Sequence, residues 1–341
     1  MPYRCSRHPA GLAGRLRSNS LEKGPSSMIE CASLVSVVIP TYNRRLRVME
    51  AVKSVLGQTY PHFEIVVVDD GSEDGTADAI ASLDDMRLRV IREQKRSGGA
   101  TARNIGIDEA KAHLIAFLDS DDIWMPKKLE LQTSFLLSRD QPSVSLTYTD
   151  LVYSDHRGRR VMSFRTKAEV EPVGDYLFLN WGRNFIQTST IMLPTELARR
   201  VRFRDGLRIH QDWDFVLRAE RIGARFEVLS VPLTLVNAEL RSDRISTGSD
   251  AAPSLEWLET VRDLLSPRAH AAFRAHQVPR LADRKPFHAA GAVVGAFSKG
   301  AIGTGQCLSM LKWCVREFMA ARPGLRPLVS LYRRTRLALP R

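Results

Sequence analysis

Cysteine is scarce: the 341 residues hold four thiols, Cys5, Cys31, Cys307 and Cys314. Their spacing matches neither a disulfide framework nor a zinc site, which favours a reducing compartment. No run of about 18 apolar residues occurs, so a conventional transmembrane helix is not expected. The most apolar stretch, Phe287 to Phe297, is too short and too rich in Ala and Gly. The basic first 30 residues lack the apolar stretch that a secretory signal needs. The GxGxxG fingerprint of a dinucleotide site is missing. The basic segments lack the interleaved aromatics of a nucleic-acid-binding module, so no nucleic acid partner is expected. What remains is an ordinary globular composition, 44% hydrophobic and 26% charged, which excludes a mostly disordered chain.

The net charge of +12 is unevenly spread. Residues 1–30 carry +3, residues 255–341 carry +10, and the stretch between carries −1. Basic ends around a neutral centre predict an anionic neighbour, an anionic membrane surface being one. The punctuated, aperiodic segment 1–30 reads as disordered, and Met28, just before the first strand, is an alternative start. Three regions follow: a disordered basic segment 1–30, an α/β domain 31–250, and a basic helical region 251–341.

The central region alternates strands with helices. Leu34 to Pro40 and Phe63 to Val68 are β-branched runs, the second continuous enough for a strand buried on both faces. Helical spacing over 45–57 puts Leu46, Met49, Val52, Val55 and Leu56 on one face. A helix near 74–82, a strand over 87–92, a helix over 100–112 and the strand Leu114 to Leu118 follow. A further helix is expected to start at Pro126, proline being favoured in a first turn. This order implies a parallel, doubly wound sheet whose ligands sit beyond the carboxyl ends of the strands.

Three strand ends carry polar signals. Pro40-Thr41-Tyr42-Asn43-Arg44 offers a base-stacking platform or, equally, a strand-to-helix turn capped by Asn43. In Asp69-Asp70-Gly71-Ser72, two carboxylates at a buried strand's end are costly unless they bind something. An Asp there can accept from a nucleobase imide or a ribose hydroxyl; an Asx-turn is the alternative. Asp119-Ser120-Asp121-Asp122 follows an apolar strand and forms a hard-oxygen site. Extended backbone would point Asp119 and Asp121 the same way, which suits a divalent cation bridging nucleotide phosphates. Between these lies Ser97 to Gly106, whose glycines allow close backbone approach at a helix N-terminus and whose Arg103 and Asn104 reach toward a phosphate or sugar.

Together, VSVVIPTYNR (Val35–Arg44), VDDGSEDGT (Val68–Thr76), GGATARNIGI (Gly98–Ile107) and FLDSDDIWMP (Phe117–Pro126) resemble the family 2 glycosyltransferases of GT-A fold. Gln211-Asp212-Trp213-Asp214-Phe215 resembles that family's acidic acceptor-side motif, with Gln211 where Glu is common. The resemblance covers about residues 33–245. It implies a single Rossmann-like, mostly parallel sheet flanked by helices, with a C-terminal helical appendage. The implied reaction is inverting transfer from a nucleotide-sugar donor (UDP-, GDP- or dTDP-linked) to an acceptor hydroxyl, a glycan or lipid-linked acceptor of polysaccharide or other cell-surface glycan synthesis. By the same resemblance Pro40, Thr41 and Tyr42 line the nucleotide pocket, Asp70 binds the base, and Arg103 and Asp119 contact the nucleotide. Asp121 ligates a divalent metal, Mg²⁺ or Mn²⁺, Asp212 is the general base, and Arg241 and Arg244 serve the phosphates from a loop. His210 and His113 are the nearest histidines to a third ligand, and neither has a strong claim.

Beyond 250, Leu255 to Leu265 reads as a helix. Gln306 to Met319 is amphipathic, with Cys307, Leu311, Cys314 and Phe318 on one stripe as core thiols and apolar partners. This region is either a helical cap or an in-plane contact with the inner face of the cell membrane. The expected localisation is therefore cytoplasmic, peripheral on that membrane. A metal-dependent nucleotidyltransferase and a non-catalytic nucleotide-sugar binder are the alternatives. The first would need a Gly-rich basic loop after the first strand, which Pro40–Arg44 matches poorly.

Overall fold

Runs of Val and Ile, stiff at χ1 and suited to a pleated surface, build the centre of the fold. The computed structural model describes residues 34–179, 181–237, 251–281 and 285–322. Segment 1–30, Arg241 and Arg244 lie outside the described residues.

The elements run β1 (Val35–Thr41), α1 (Arg45–Leu56), β2 (Phe63–Asp69), α2 (Thr76–Ala81), β3 (Leu88–Arg92), α3 (Gly99–Glu109), β4 (Leu114–Phe117), β5 (Ile123–Trp124) and α4 (Lys128–Leu137). They continue with β6 (Ser145–Asp155), β7 (Gly158–Met162), α5 (Val173–Phe178), β8 (Met192–Pro194), α6 (Thr195–Val201), α7 (Gln211–Arg221) and β9 (Arg225–Asn237). The C-terminal helices are α8 (Ala252–Thr260), α9 (Pro267–Gln277), α10 (Pro286–Ser298) and α11 (Thr304–Ala320). One sheet has the order β3-β2-β1-β4-β8-β6-β9-β5, with β7 on β6.

The strands β3, β2, β1 and β4 are all parallel, with Val35 opposite both Phe63 and Leu114, so their carboxyl ends finish side by side. Direction reverses at β8, which runs antiparallel to β4. Beyond that seam β6 and β9 pair in parallel, with an irregularity around Asp150. The architecture is the expected α/β sheet flanked by helices.

Side chains alternate across the sheet. Val37, Ile39, Ile65 and Val67 pack with Val48, Val52 and Val55 of α1, while Val38, Val66, Ile115 and Phe117 face the other layer with α3, α7 and the C-terminal helices. Helix α3 lies very close to β1: a Cβ on Gly106 would stand 2.2 Å from Val38 Cγ1.

Two local expectations are corrected. The buried face of α1 is Val48, Ala51, Val52 and Val55, and Leu46 is exposed because it lies about 160° away around the helix. Helix α4 starts at Lys128, not Pro126, because Ile123–Trp124 first pairs with β9 and carries the chain past the proline. The helix expected from Leu255 is α8, which ends at Thr260 in a 3₁₀ turn over Arg262–Leu264. Cys307 and Cys314 are buried free thiols.

Candidate active site

The first two strand ends are tied to each other. Asn43 adopts a left-handed conformation (φ 48°), a region that Asn tolerates better than most residues. Its N–H donates to Ser72 Oγ at 2.8 Å, and its side-chain oxygen accepts from Glu73 N at 2.9 Å. Thr41 is buried, and the Arg96 guanidinium covers the Tyr42 ring at 4.1 Å. Asp69 accepts from Ser72 N, three residues on, at 3.0 Å, while its other oxygen is buried and has no partner among the described residues. Asp70 is also buried, and its carboxylate accepts from Ser97 N (2.6 Å), Ser97 Oγ (2.7 Å) and Gly98 N (2.8 Å). A carboxylate has about four lone-pair sites, so one remains for a further donor. Asp70 therefore fixes the glycine turn that opens α3.

The acidic loop after β4 is a turn and not extended chain: Asp122 N donates to Asp119 O at 3.0 Å. Each acid finds its own partner. Asp119 pairs with Arg103, a buried α3 residue, and Asp121 pairs with Arg44 at 3.0 Å. Asp122 is buried. It accepts from Ser189 Oγ (2.7 Å), Gln187 Nε2 (2.9 Å) and Asn237 N (3.2 Å). Burial first, then the charges of Asp121 and Asp119, push its pKa up to about 8. The segment that supplies Gln187 and Ser189 enters β8, so the seam of the sheet covers the acid loop.

Helix α7 brings the opposite wall. His210 precedes it in the left-handed region (φ 59°), stacked on Trp213 at 4.7 Å and bonded through Nε2 to Ser254 Oγ of α8 at 2.8 Å. Gln211 accepts from Arg103 Nη1 at 2.6 Å and donates to Leu207 O at 2.6 Å. Arg103 thus links Asp119 on the strand end to the first turn of α7.

Asp212 accepts from Trp213 N at 2.9 Å. Burial raises its pKa to about 6, with Asp119 adding to the rise and Arg103 opposing it. Asp214, on the far side of the helix, is buried against Arg218 (2.7 Å), Arg204 (2.9 Å) and Trp257 Nε1 (3.3 Å). Asp214 is thus held in ion pairs, and Asp212 is the α7 carboxylate whose charge faces those of Asp119 and Arg103. Trp213 belongs to an aromatic cluster with Phe178, Trp181, Phe185, Trp257 and Phe273 that seats α8 and α9 behind α7.

A family model described as glycosyl transferase family 2 matches residues 36–192. The amylovoran biosynthesis glycosyltransferase AmsB of Erwinia amylovora is 31% identical over 72% of this chain and 83% of its own length. The putative teichuronic acid biosynthesis glycosyltransferase TuaG of Bacillus subtilis is 44% identical over 66% of this chain and 86% of its own. The chain belongs to glycosyltransferase family 2. The crystal structure of S. aureus TarS 1–349 in complex with UDP-GlcNAc superposes with a TM-score of 0.58 at 19% identity, covering 88% of this chain and 92% of that one. That likeness is one of fold, the GT-A fold. The protein is therefore a glycosyltransferase and not the nucleotidyltransferase weighed above.

Among the described residues of this glycosyltransferase, no three His, Cys, Asp or Glu side chains are arranged to hold a metal ion by themselves. Asp119 and Asp121 nevertheless offer hard oxygens at a point that already attracts two guanidinium groups. Such a pair fits a divalent cation that takes its other ligands from water and substrate phosphates. His113 is exposed at the start of β4, the wrong end of the strand, and His210 is engaged with Trp213 and Ser254. Sequence reasoning missed three contributors: Arg44 as partner of Asp121, and Gln187 and Ser189 as the cover of Asp122. Arg44 lies inside a motif and was legible as a charge near a carboxylate loop. Gln187 and Ser189 sit in irregular chain that carries no pattern.

Proposed function

We propose that this glycosyltransferase moves a sugar with inversion from a UDP-, GDP- or dTDP-linked donor to an acceptor hydroxyl, with Asp212 as general base. One observation carries the reading. A carboxylate whose pKa is lifted to about 6 stands on the first turn of α7, and the neighbouring Gln211 is coupled through Arg103 to the donor-side acid Asp119. A base poised near the working pH is ionised yet basic enough to take a proton in the transition state. Asp212 removes the acceptor proton as the acceptor oxygen bonds to the anomeric carbon. The bond from that carbon to the phosphate oxygen breaks, and its electron pair leaves with the nucleoside diphosphate.

Pro40, Thr41 and Tyr42 line the nucleotide pocket, Asp70 receives the base, Asp119 and Arg103 meet the sugar–phosphate portion, and Arg241 and Arg244 serve the phosphates. Asp121, with Asp119, would hold Mg²⁺ or Mn²⁺, which when bound offsets charge on the leaving diphosphate. The relatives' roles in amylovoran and teichuronic acid biosynthesis support a cell-surface glycan or its lipid-linked precursor as acceptor. The proposed place of work is the cytoplasm, at the inner face of the cell membrane.

The test is calorimetric titration with UDP, GDP and dTDP, with and without Mn²⁺, followed by single-turnover release of nucleoside diphosphate from the donor that binds. Binding of none of the three, or release of pyrophosphate, would overturn the reading.

A further inference from the structure

The C-terminal helices carry an apolar surface turned the wrong way for a protein core. Helix α10 contains no Asp, Glu, Lys or Arg from Pro286 to Ser298. Its buried side chains are the modest Ala289, Val293 and Ala296. Its large ones point out: Phe287 is 91% exposed, Val294 50% and Phe297 43%. A helix that only capped the domain would place its phenylalanines inward, where each contributes most. Helix α10 packs beside α11, which repeats the feature with Leu308 at 54% and Val315 at 55% exposed. Among the described residues, five of the eleven exposed large hydrophobic side chains thus fall on these two helices. On α11, Lys312 lies about 40° around the helix from Leu308 and about 60° from Val315, so a basic head flanks the apolar ridge.

The surrounding charge is one-sided. Lys285, Lys299, Lys312, Arg316 and Arg322 are exposed, and the one acid between Lys285 and Arg322, Glu317, is paired with Arg316. The sequence beyond Arg322 adds five arginines and no acid.

We infer that the α10–α11 surface is a membrane-docking face that seats its phenylalanines at the headgroup–acyl boundary of an anionic bilayer. An apolar ridge rimmed by cations is the pattern of an in-plane interfacial element, with area and charge both contributing. A second copy of the chain is a poorer occupant, since two such faces would bring like-charged rims together. A polyanion such as nucleic acid would meet the cations but leave the phenyl rings in water. Among the described residues no helix is long and apolar enough to cross a membrane, so this face would be a surface contact and not a span. The inference concerns where the enzyme sits and does not depend on the assignment of Asp212.

The test floats the full-length protein with phosphatidylcholine vesicles and with mixed phosphatidylcholine–phosphatidylglycerol vesicles, at low and high salt. The wild type, Phe287→Ser/Phe297→Ser and Lys312→Glu/Lys299→Glu are compared. Both double variants alter exposed side chains, so their melting temperatures and nucleoside diphosphate affinity should match the wild type. Binding should be confined to the anionic vesicles and weaken with salt. The serine variant should lose roughly tenfold or more in partitioning, because even partial burial of a phenyl ring is worth about a factor of ten. The glutamate variant should lose most of its binding. Equal flotation of the serine variant would mean that charge alone binds, and would overturn the inference. So would equal binding to neutral vesicles, no flotation of the wild type, or a dimer by light scattering that the serine variant dissolves.

Discussion

Replacing Asp212 and Asp214 separately by Asn should move stability in opposite directions. Asp214 is fully buried with Arg218 at 2.7 Å and Arg204 at 2.9 Å. Removing its charge strands two guanidinium groups at a buried contact, a loss of about 3 kcal/mol. That should lower Tm by roughly 5–10 °C for a domain of this size. Asp212 is the reverse case: its folded pKa stands at about 6 against an ordinary 3.8, so ionisation is what the fold resists. Two pK units correspond to about 3 kcal/mol, reduced to between about 1 and 3 by the partial exposure of the residue.

The sign follows from linkage. Below pH 3.8 the carboxyl is protonated in both states and costs nothing. Between 3.8 and about 6 the unfolded chain ionises first, and above 6 the full penalty is present. Asp212→Asn should therefore match the wild type in acid and melt higher than it above pH 6. Transfer should fall by about 10²–10⁴-fold in Asp212→Asn while nucleotide affinity is kept. The assay is paired: melts of both variants from pH 4 to 8, and single-turnover transfer with calorimetric nucleotide binding. If Asp212→Asn melts well below the wild type at neutral pH, the residue is a brace and not the base. If Asp214→Asn keeps its Tm and loses transfer, the two roles are exchanged.

Three further outcomes are expected. Gly106→Ala should lower Tm by several degrees, since its new methyl would meet Val38 Cγ1 at 2.2 Å and overpacking costs about 1–3 kcal/mol; a wild-type melt would show that α3 can shift freely on β1. Arg44→Met should tighten nucleotide-free Mn²⁺ binding by no more than about fivefold, the worth of a half-exposed ion pair at Asp121, as read by Mn²⁺ electron paramagnetic resonance; weaker binding would remove the pair from the site. Burial against Trp181 lowers the pKa of His276 from 6.5 to about 4, so stability should fall as pH drops through that window by up to about 3 kcal/mol; His276→Phe should flatten this part of the pH–Tm curve, and an unchanged slope would refute the assignment.

What was legible in the sequence is what short-range physics encodes. The continuous Val/Ile runs of β1 and β2 announce strands covered on both faces, and carboxylates directly after them announce a site, because buried charge is costly without a purpose. Asp70, Asp119 and Asp121 were singled out this way and Arg103 by the glycine turn before a helix, whereas Asp212 was singled out by family resemblance alone, which also supplied the expected roles. The phase of α1 was misread because Leu46 and Met49 outweigh Ala51 by hydrophobicity alone, whereas the fold selects the 48-51-52-55 arc. The acid loop was read as extended when a turn and two arginines set its geometry. Gln187, Ser189 and Ser254 were invisible because their partners lie 44 to 68 residues away along the chain, and no local pattern marks such pairings.

The reversal of strand direction between β4 and β8 also bears on where the family match ends along the chain. The family match stops at residue 192, the first residue of β8, so it takes in β1 to β4 together with β6 and β7 from the far side of the seam. Most of the residues proposed to meet the nucleotide, Pro40 to Tyr42, Asp70, Arg103 and Asp119, lie before that line, while Arg241 and Arg244, α7, β9 and the C-terminal helices lie after it. An antiparallel strand accepts a new neighbour without altering the crossovers already laid down in the parallel half. The proposed acceptor wall could therefore be rebuilt, or a different helical platform attached behind it, while β1 to β4 stay unchanged. The bonds of Arg103 to Gln211 and of Thr101 and Asn104 to Asp205 are points where any such graft must still mesh, since they join α3 to the chain beyond β8. Diversification of acceptors in this lineage would then be expected to proceed by replacement of whole segments beyond the seam, with the Gln211 position changing only in step with Arg103.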